Sequence, residues 1–258
     1  MKIFFYINTI SSGGAERVLT NLATEMSVRG HKCTIVTSFP CSWEYSYGKG
    51  VRRISLNSNK IEGYLKRNVL LTCRLRKLLV LEKPDILVSF MAEPNFRATI
   101  AKMGTGVKSI FSVRSSPHIE YRGKLAFFLA KTLFRFGNSA VFQTNDAKNW
   151  FPQAIRKKSV IIYNPIGEIF YNTRLNEVRS GIVTVGRINK LKNHKLLIEA
   201  FAKIANKIND DLTIYGSGDT ASLKIYAELL GVGQRVHFPG QISNVPFSLR
   251  NARLFVLS

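Results

Sequence analysis

Short apolar runs alternate with amphipathic segments across Gly-bearing turns, and the rhythm starts twice. Residues 2–8 form an apolar run that leads at once into Ser11-Ser12-Gly13-Gly14. Residues 15–29 follow, with Val18, Leu19, Leu22, Ala23 and Met26 on one helical face. Gly30 and His31 end that helix, and residues 32–38 read as the next strand, which makes a βαβ unit and opens a parallel sheet. The spacing predicts further strands at 51–56, 85–90, 109–113, 140–143 and 160–163. It predicts helices from 61 onward, at 95–103, in a long segment up to Phe136, and at 146–151.

The second start lies beyond Asn164-Pro165-Ile166-Gly167. Strands are expected at 181–186, 212–215, 235–238 and 254–257, with helices at 195–206, 220–230 and 245–251. The fold class is therefore α/β, with a doubly wound domain over 1–163, a linker over 164–176 and a second such domain over 177–258. The second domain is shorter than the ~100–150 residues typical of an independent domain, and it stops on a newly opened strand. A missing C-terminal portion is the expectation.

No apolar run approaches the ~18–20 residues of a membrane-spanning helix, and the opening run lacks a cleavage pattern, so it reads as a strand and not a signal peptide. Cys33, Cys41 and Cys73 are odd in number and at no metal-ligand spacing, which predicts neither a disulfide framework nor a zinc site. The expectation is a soluble cytoplasmic protein. Its charge is the outlier: 38 Lys and Arg against 16 Asp and Glu, a net of +22. Residues 1–163 hold 26 basic and 9 acidic side chains, so most of the excess sits in the first domain.

Two stretches concentrate it, 60–83 and 122–135, each mixing cations with Leu or Phe at helical spacing. They read as charged outer faces of packed helices, as membrane-surface patches, or as nucleic-acid contacts. No zinc finger, aromatic RNA-binding pattern or helix-turn-helix accompanies them, and charge alone confers only general polyanion affinity. An anionic membrane surface is the favoured partner, and no nucleic acid is expected.

Three turns carry chemistry in the second half. Gly186-Arg187-Ile188-Asn189-Lys190-Leu191-Lys192 follows a strand and precedes a helix, placing two cations where doubly wound domains bind ligands. Arg187 and Lys192 there suit a diphosphate leaving group, although a solvated loop with ordinary surface cations fits equally. Gly216-Ser217-Gly218 and Phe238-Pro239-Gly240 repeat the strand-to-turn pattern on the same edge, and together the three look like a nucleotide pocket. In the first domain Gly13-Gly14 opens a helix whose free N–H groups favour phosphate or sugar hydroxyls. Its spacing is not the G-x-G-x-x-G of a dinucleotide-binding turn, which argues against an oxidoreductase.

In order, Val185-Gly186-Arg187, Lys192, Leu197-Ile198-Glu199-Ala200-Phe201, Gly216-Ser217-Gly218 and Phe238-Pro239-Gly240 resemble the second-domain signature of the GT-B glycosyltransferases of family 4 (group 1). Ser12-Gly13-Gly14-Ala15-Glu16-Arg17 and Gly30-His31 resemble that family's start, so the resemblance spans nearly the whole chain. It is nearest to bacterial members that extend lipid-linked or capsular oligosaccharides. The resemblance implies two Rossmann-like domains facing a cleft and retaining transfer of a hexosyl or N-acetylhexosaminyl group. The donor would be a nucleotide diphosphate sugar, expected to be UDP-linked, with no cofactor and no required metal. By the same resemblance Arg187 and Lys192 hold the diphosphate, Gly13 and Gly14 approach it from the first domain, Gly216 and Gly218 line the pocket, and the Gly240 turn lies near the base.

Two departures stand out. The family's Glu-x7-Glu element would follow the strand at 254–257, and the chain ends at Ser258. Many members place a His after the strand at 109–113; here Arg114 holds that place and His118 follows. Arg114 and His118 are the candidate catalytic residues, with a plain surface role as the alternative for His118. Transfer to a lipid-linked or polysaccharide acceptor at the inner face of the plasma membrane is the leading expectation. A non-catalytic, truncated donor-binding or membrane-docking protein is the second, and a polyanion binder the third.

Overall fold

Strand β1 (Lys2–Ile7) alternates Ile3, Phe5 and Ile7 against Phe4 and Tyr6, and all five are buried. Both faces of this strand are therefore covered, as a central parallel strand requires. The first set packs with Leu19 and Ala23 of α1 (Gly14–Val28), and the second with Leu75 and Leu79 of α2 (Tyr64–Glu82). The computed structural model describes residues 1–11, 13–57, 63–166, 170, 178–242 and 244–257. Within them the chain forms two compact units, Met1–Pro165 and Ile166–Ser258. Most of the linker expected at 164–176, and residues 61 and 62 of the basic helix, lie outside the described residues.

The first unit holds a seven-stranded parallel sheet of order β3-β2-β1-β4-β5-β6-β7, with β2 (Lys32–Thr37), β3 (Arg52–Ser55), β4 (Ile86–Phe90), β5 (Lys108–Ser112), β6 (Ser139–Phe142) and β7 (Ser159–Ile161). Ile3 pairs with Cys33 on one side and with Ile86 on the other, so the strand order reverses across β1 and β4. The crevice above such a reversal, at the strands' C-terminal ends, is where open parallel sheets bind ligands.

Helix α3 (Ala92–Ala101) starts three residues before the expected 95, because Pro94 sits in its first turn, where a missing N–H costs nothing. The long helix expected up to Phe136 is interrupted. Pro117–Glu120 forms α4, Lys124–Leu133 forms α5, and Phe134–Phe136 is a 3-10 turn. The break inserts Tyr121 into an aromatic core of Phe111, Phe134, Phe142 and Phe151, and Gly123 stays extended before α5. Two short helices, α6 (Asn145–Asn149) and α7 (Gln153–Arg156), precede β7, and the second of them was not expected.

The second unit holds a four-stranded parallel sheet of order β10-β9-β8-β11, formed by β8 (Ile182–Val185), β9 (Leu212–Tyr215), β10 (Val236–Gly240) and β11 (Leu254–Phe255). Helices α8 (His194–Ile204), α9 (Ala221–Leu229) and α10 (Val245–Asn251) connect them. Leu197, Ile198 and Phe201 of α8 pack on Ile182, Leu212 and Ile214. The order reverses across β8 and β11, which puts the turn after β8 at this sheet's switch point.

Candidate functional site

In the first unit the turn after β1 leads to Gly13 and Gly14. Gly13 precedes α1 without side-chain capping; its N–H donates to Tyr45 Oη at 3.3 Å and its carbonyl accepts from Arg17 N at 3.1 Å. A Cβ on Gly13 would lie 2.1 Å from the Glu16 carboxylate, which folds back over the helix start. A Cβ on Gly14 would meet nothing within 4 Å. Ser12 of the same motif lies outside the described residues.

The ends of β4 and β5 form a second cluster. Met91 has a φ of 77°, strained for a side chain of its size, and its N–H reaches Ser112 O at 3.3 Å. Glu120, the last residue of α4, accepts from the Ala92 N–H at 2.5 Å and from Ser115 Oγ at 2.8 Å, so it caps α3 and ties it to the loop that carries Arg114. Burial pushes its carboxyl up against these two hydrogen bonds. The Arg114 guanidinium lies 4.3 Å from the Phe90 ring centroid and donates to Asn164 Oδ1 at 3.0 Å. Burial lowers its pKa to about 10, so it stays cationic at neutral pH and serves as a fixed charge, not a proton donor. His118 is exposed on α4, its ring edge-on to Trp150 at 6.2 Å.

A buried polar network extends this edge toward β1 and β2. Arg97, 2% exposed, donates to Tyr6 Oη at 2.9 Å, to Ser38 Oγ at 3.2 Å, and to Asn8 and Asn68, and pairs with Glu93 at 3.3 Å. Sequence reasoning named neither Arg97 nor Glu120. Pro94 beside acidic and amide residues, just past a buried strand, was the only available signal.

In the second unit three turns are stitched together by backbone. Gly186 N donates to Tyr215 O at 2.9 Å, Ile188 N to Ser217 O at 2.8 Å, and Gly216 N to Gly240 O at 2.9 Å. A Cβ on Gly216 would lie 1.8 Å from Gly186 O, and one on Gly218 would lie 2.4 Å from Ile188 O. These two glycines are therefore required for turn-to-turn contact whether or not a ligand is present. The Lys192 stem crosses Gly186, its Cε 3.5 Å from where a Cβ would stand. Asn189 Oδ1 accepts from Lys192 N at 3.2 Å and fixes the short turn between the two cations. Both Arg187 and Lys192 are exposed.

His194 is 4% exposed at the start of α8, its Nε2 3.4 Å from the Arg187 carbonyl oxygen. Burial foremost, and the Lys192 charge to a lesser degree, hold its pKa below the ordinary value, so the ring is neutral. Beside it a cavity of about 620 Å³ is lined by Ile188, Asn189, Asn193, His194, Asp219 and Ser222, among others. Arg187 and Lys192 do not line it. The motif cations and this cavity are thus neighbours along one loop and not the same place.

The structure brings Arg187, Lys192, Gly216, Gly218 and Gly240 to the C-terminal edge of one sheet, and Gly13, Gly14 and Arg114 to that of the other. Among the described residues no group of His, Cys, Asp or Glu could hold a metal ion.

Two parallel, doubly wound units with glycine-rich turns on their ligand edges define a GT-B protein. Residues 12–167 match the family "Glycosyltransferase Family 4", and residues 166–258 match "Glycosyl transferases group 1". The chain belongs to glycosyltransferase family 4 and is an enzyme of the glycosyltransferase type. It is 24% identical over 268 residues to a GalNAc-alpha-(1->4)-GalNAc-alpha-(1->3)-diNAcBac-PP-undecaprenol alpha-1,4-N-acetyl-D-galactosaminyltransferase of Campylobacter jejuni, covering 100% of this chain and 72% of that one. It is 26% identical to an N-acetylgalactosamine-N,N'-diacetylbacillosaminyl-diphospho-undecaprenol 4-alpha-N-acetylgalactosaminyltransferase of the same organism, covering 84% and 63%. Among solved structures, Anabaena Alr3699/HepE in complex with UDP and glucose superposes with a TM-score of 0.79 at 16% identity, covering 100% of this chain and 74% of that one. The lipopolysaccharide outer core galactosyltransferase WaaB does so at 0.70 and 20%, covering 100% and 74%.

Proposed function

We propose that this protein transfers a hexosyl or N-acetylhexosaminyl group, with retention of configuration, from a nucleotide diphosphate sugar to a lipid-linked or polysaccharide acceptor at the cytoplasmic face of the plasma membrane. A UDP-linked donor is the first to test, because a neighbouring fold is known with UDP and glucose bound. Two relatives named for diphospho-undecaprenol-linked substrates support the acceptor class.

The observation that carries the reading is the placement of Arg187 and Lys192 in the turn at the second sheet's switch point, braced by backbone contacts with the turn after β9. As the glycosidic bond breaks, negative charge grows on the departing diphosphate. Two fixed cations there lower the barrier without any proton transfer, and losing one such contact costs roughly 10²–10³ in rate. Gly14, open above the first sheet, leaves space for a donor to come close to the α1 N-terminus. Arg114 supplies a fixed positive charge on the first unit's edge.

The test is donor turnover and nucleoside diphosphate binding by Arg187→Ala and Lys192→Met. Methionine retains the stem that packs over Gly186 and removes only the charge. The reading requires that both variants fold and lose transfer by about 10²-fold or more. Undiminished transfer in both would overturn it.

A further inference from the structure

Because the first sheet's order reverses across β1 and β4, the residues that follow those two strands flank the crevice of its ligand edge. Asn8 follows β1, and Glu93 stands in the first turn of α3, just past β4. Asn8 Nδ2 donates to Glu93 Oε2 at 3.4 Å, so the two side chains meet across the switch point. Tyr64, exposed at the start of α2, bonds through its hydroxyl to the same carboxylate.

Arg97 holds this arrangement from the buried side. Its Nε donates to Tyr6, its Nη1 to Asn68 and Glu93, and its Nη2 to Asn8 and Ser38. A guanidinium has five N–H donors, and these contacts commit every one of them. Arg97 is also buried, so it offers nothing to a ligand. The Glu93 side chain differs: it is 33% exposed. The crevice therefore carries a carboxylate that is anchored on a buried cation and still reachable from solvent.

What such a carboxylate selects follows from its charge. A phosphate is repelled by it. A further cation gains little, because the Arg97 guanidinium at 3.3 Å already balances the charge. A neutral hydroxyl gains most, since its O–H donates to an ionised acceptor in a short, charge-assisted bond. We propose that Glu93, seated on Arg97 and bonded to Asn8 across the crevice, accepts hydrogen bonds from ring hydroxyls of the acceptor sugar and so selects which sugar is extended. The inference deepens the proposed function and rests on it for the acceptor being a sugar. It concerns only the first unit, and its test is independent of the cations at the second sheet's edge.

The experiment is saturation-transfer NMR on the full chain with the methyl α-glycosides of glucose, galactose, N-acetylglucosamine and N-acetylgalactosamine. Calorimetric titrations of UDP and UDP-glucose run alongside it. Glu93→Gln keeps the shape of the side chain and removes its charge. Glu82→Gln is the comparison, since Glu82 also pairs with two basic side chains but sits at the far end of α2. The expected result is that at least one glycoside binds the wild type. Glu93→Gln should weaken it about tenfold or more, the worth of one hydrogen bond to a charged group. Glu82→Gln should leave it unchanged, and neither variant should alter UDP affinity. Absence of binding by all four glycosides would overturn the inference, and so would undiminished binding by Glu93→Gln. Equal loss in Glu82→Gln would reduce Glu93 to a structural ion pair. Weakened UDP-glucose binding with normal UDP binding in Glu93→Gln would assign the carboxylate to the donor's sugar instead and overturn it too. Arg187→Ala separates this from the transfer reading: lost UDP binding with retained glycoside binding leaves the acceptor subsite standing, whereas loss of both would place the glycoside in the donor site and refute the proposal.

Discussion

Gly216 and Gly186 meet backbone to backbone: a Cβ on Gly216 would stand 1.8 Å from the Gly186 carbonyl oxygen and 2.8 Å from its carbon. Neither atom belongs to a side chain that could swing away. Gly216→Ala is therefore expected to part the turns after β8 and β9 at a cost of about 1–3 kcal/mol. Because Arg187 follows Gly186 directly, donor affinity should fall together with the melting temperature. Calorimetry and UDP titration on one preparation check this; an unchanged melting temperature would contradict the contact.

Gly14 provides the opposite case. Its Cβ position is open, and it begins a helix, where Ala is no worse than Gly. Gly14→Ala should melt at the wild-type temperature or slightly above. If the donor approaches this backbone, KM for the nucleotide sugar rises while stability does not fall. A variant with normal KM would remove Gly14 from the donor site.

The contrast between these two glycines shows what a sequence can and cannot disclose. The strands and turns of both sheets were legible because each is a local pattern, an apolar run closed by Gly. The reason for Gly216 was not, since its partner lies thirty residues earlier on a neighbouring strand. The interruption between Glu120 and Lys124 was hidden for the same reason: Tyr121 leaves the helix to pack on Phe134, Trp150 and Phe151, none of which its neighbours announce. Arg97 reads as an ordinary helix cation, yet its partners Asn68, Ser38 and Tyr6 are 29, 59 and 91 residues away. Nothing short-range distinguishes it from the arginines that face water.

Arg97 offers a large stability effect for that reason. Removing its guanidinium strips donors from Tyr6, Asn8, Ser38 and Asn68 and leaves Glu93 without its ion-pair partner. Glu93 is partly solvated, so the cost lies in the buried acceptors left short of a donor, about 1–3 kcal/mol for such a group. Arg97→Met should lower the urea midpoint accordingly. Arg97→Lys should recover little, because a single ammonium cannot reach acceptors arranged around a planar fork. Full recovery by lysine would show that charge alone, and not the fork, holds the network.

Glu82 makes the acid limb of stability predictable. Its carboxylate accepts from Lys2 Nζ at 2.6 Å and from Arg52 Nη2 at 2.8 Å, tying the end of α2 to β1 and β3. The Arg52 hydrogen bond foremost, then that of Lys2, lowers its pKa from 4.5 to about 2. The folded state thus holds this group ionised where the unfolded chain would protonate it. The contribution is complete above pH 4.5 and disappears as the pH falls through about 2. The side chain is 23% exposed, and pairs this near the surface contribute about 1 kcal/mol or less. Glu82→Gln should therefore melt slightly lower than wild type at pH 6, and the two melting curves should converge as the pH drops from 4.5 toward 2. A difference that stays constant across that window would mean the Lys2 and Arg52 contacts depend on the shape of the side chain and not on its charge.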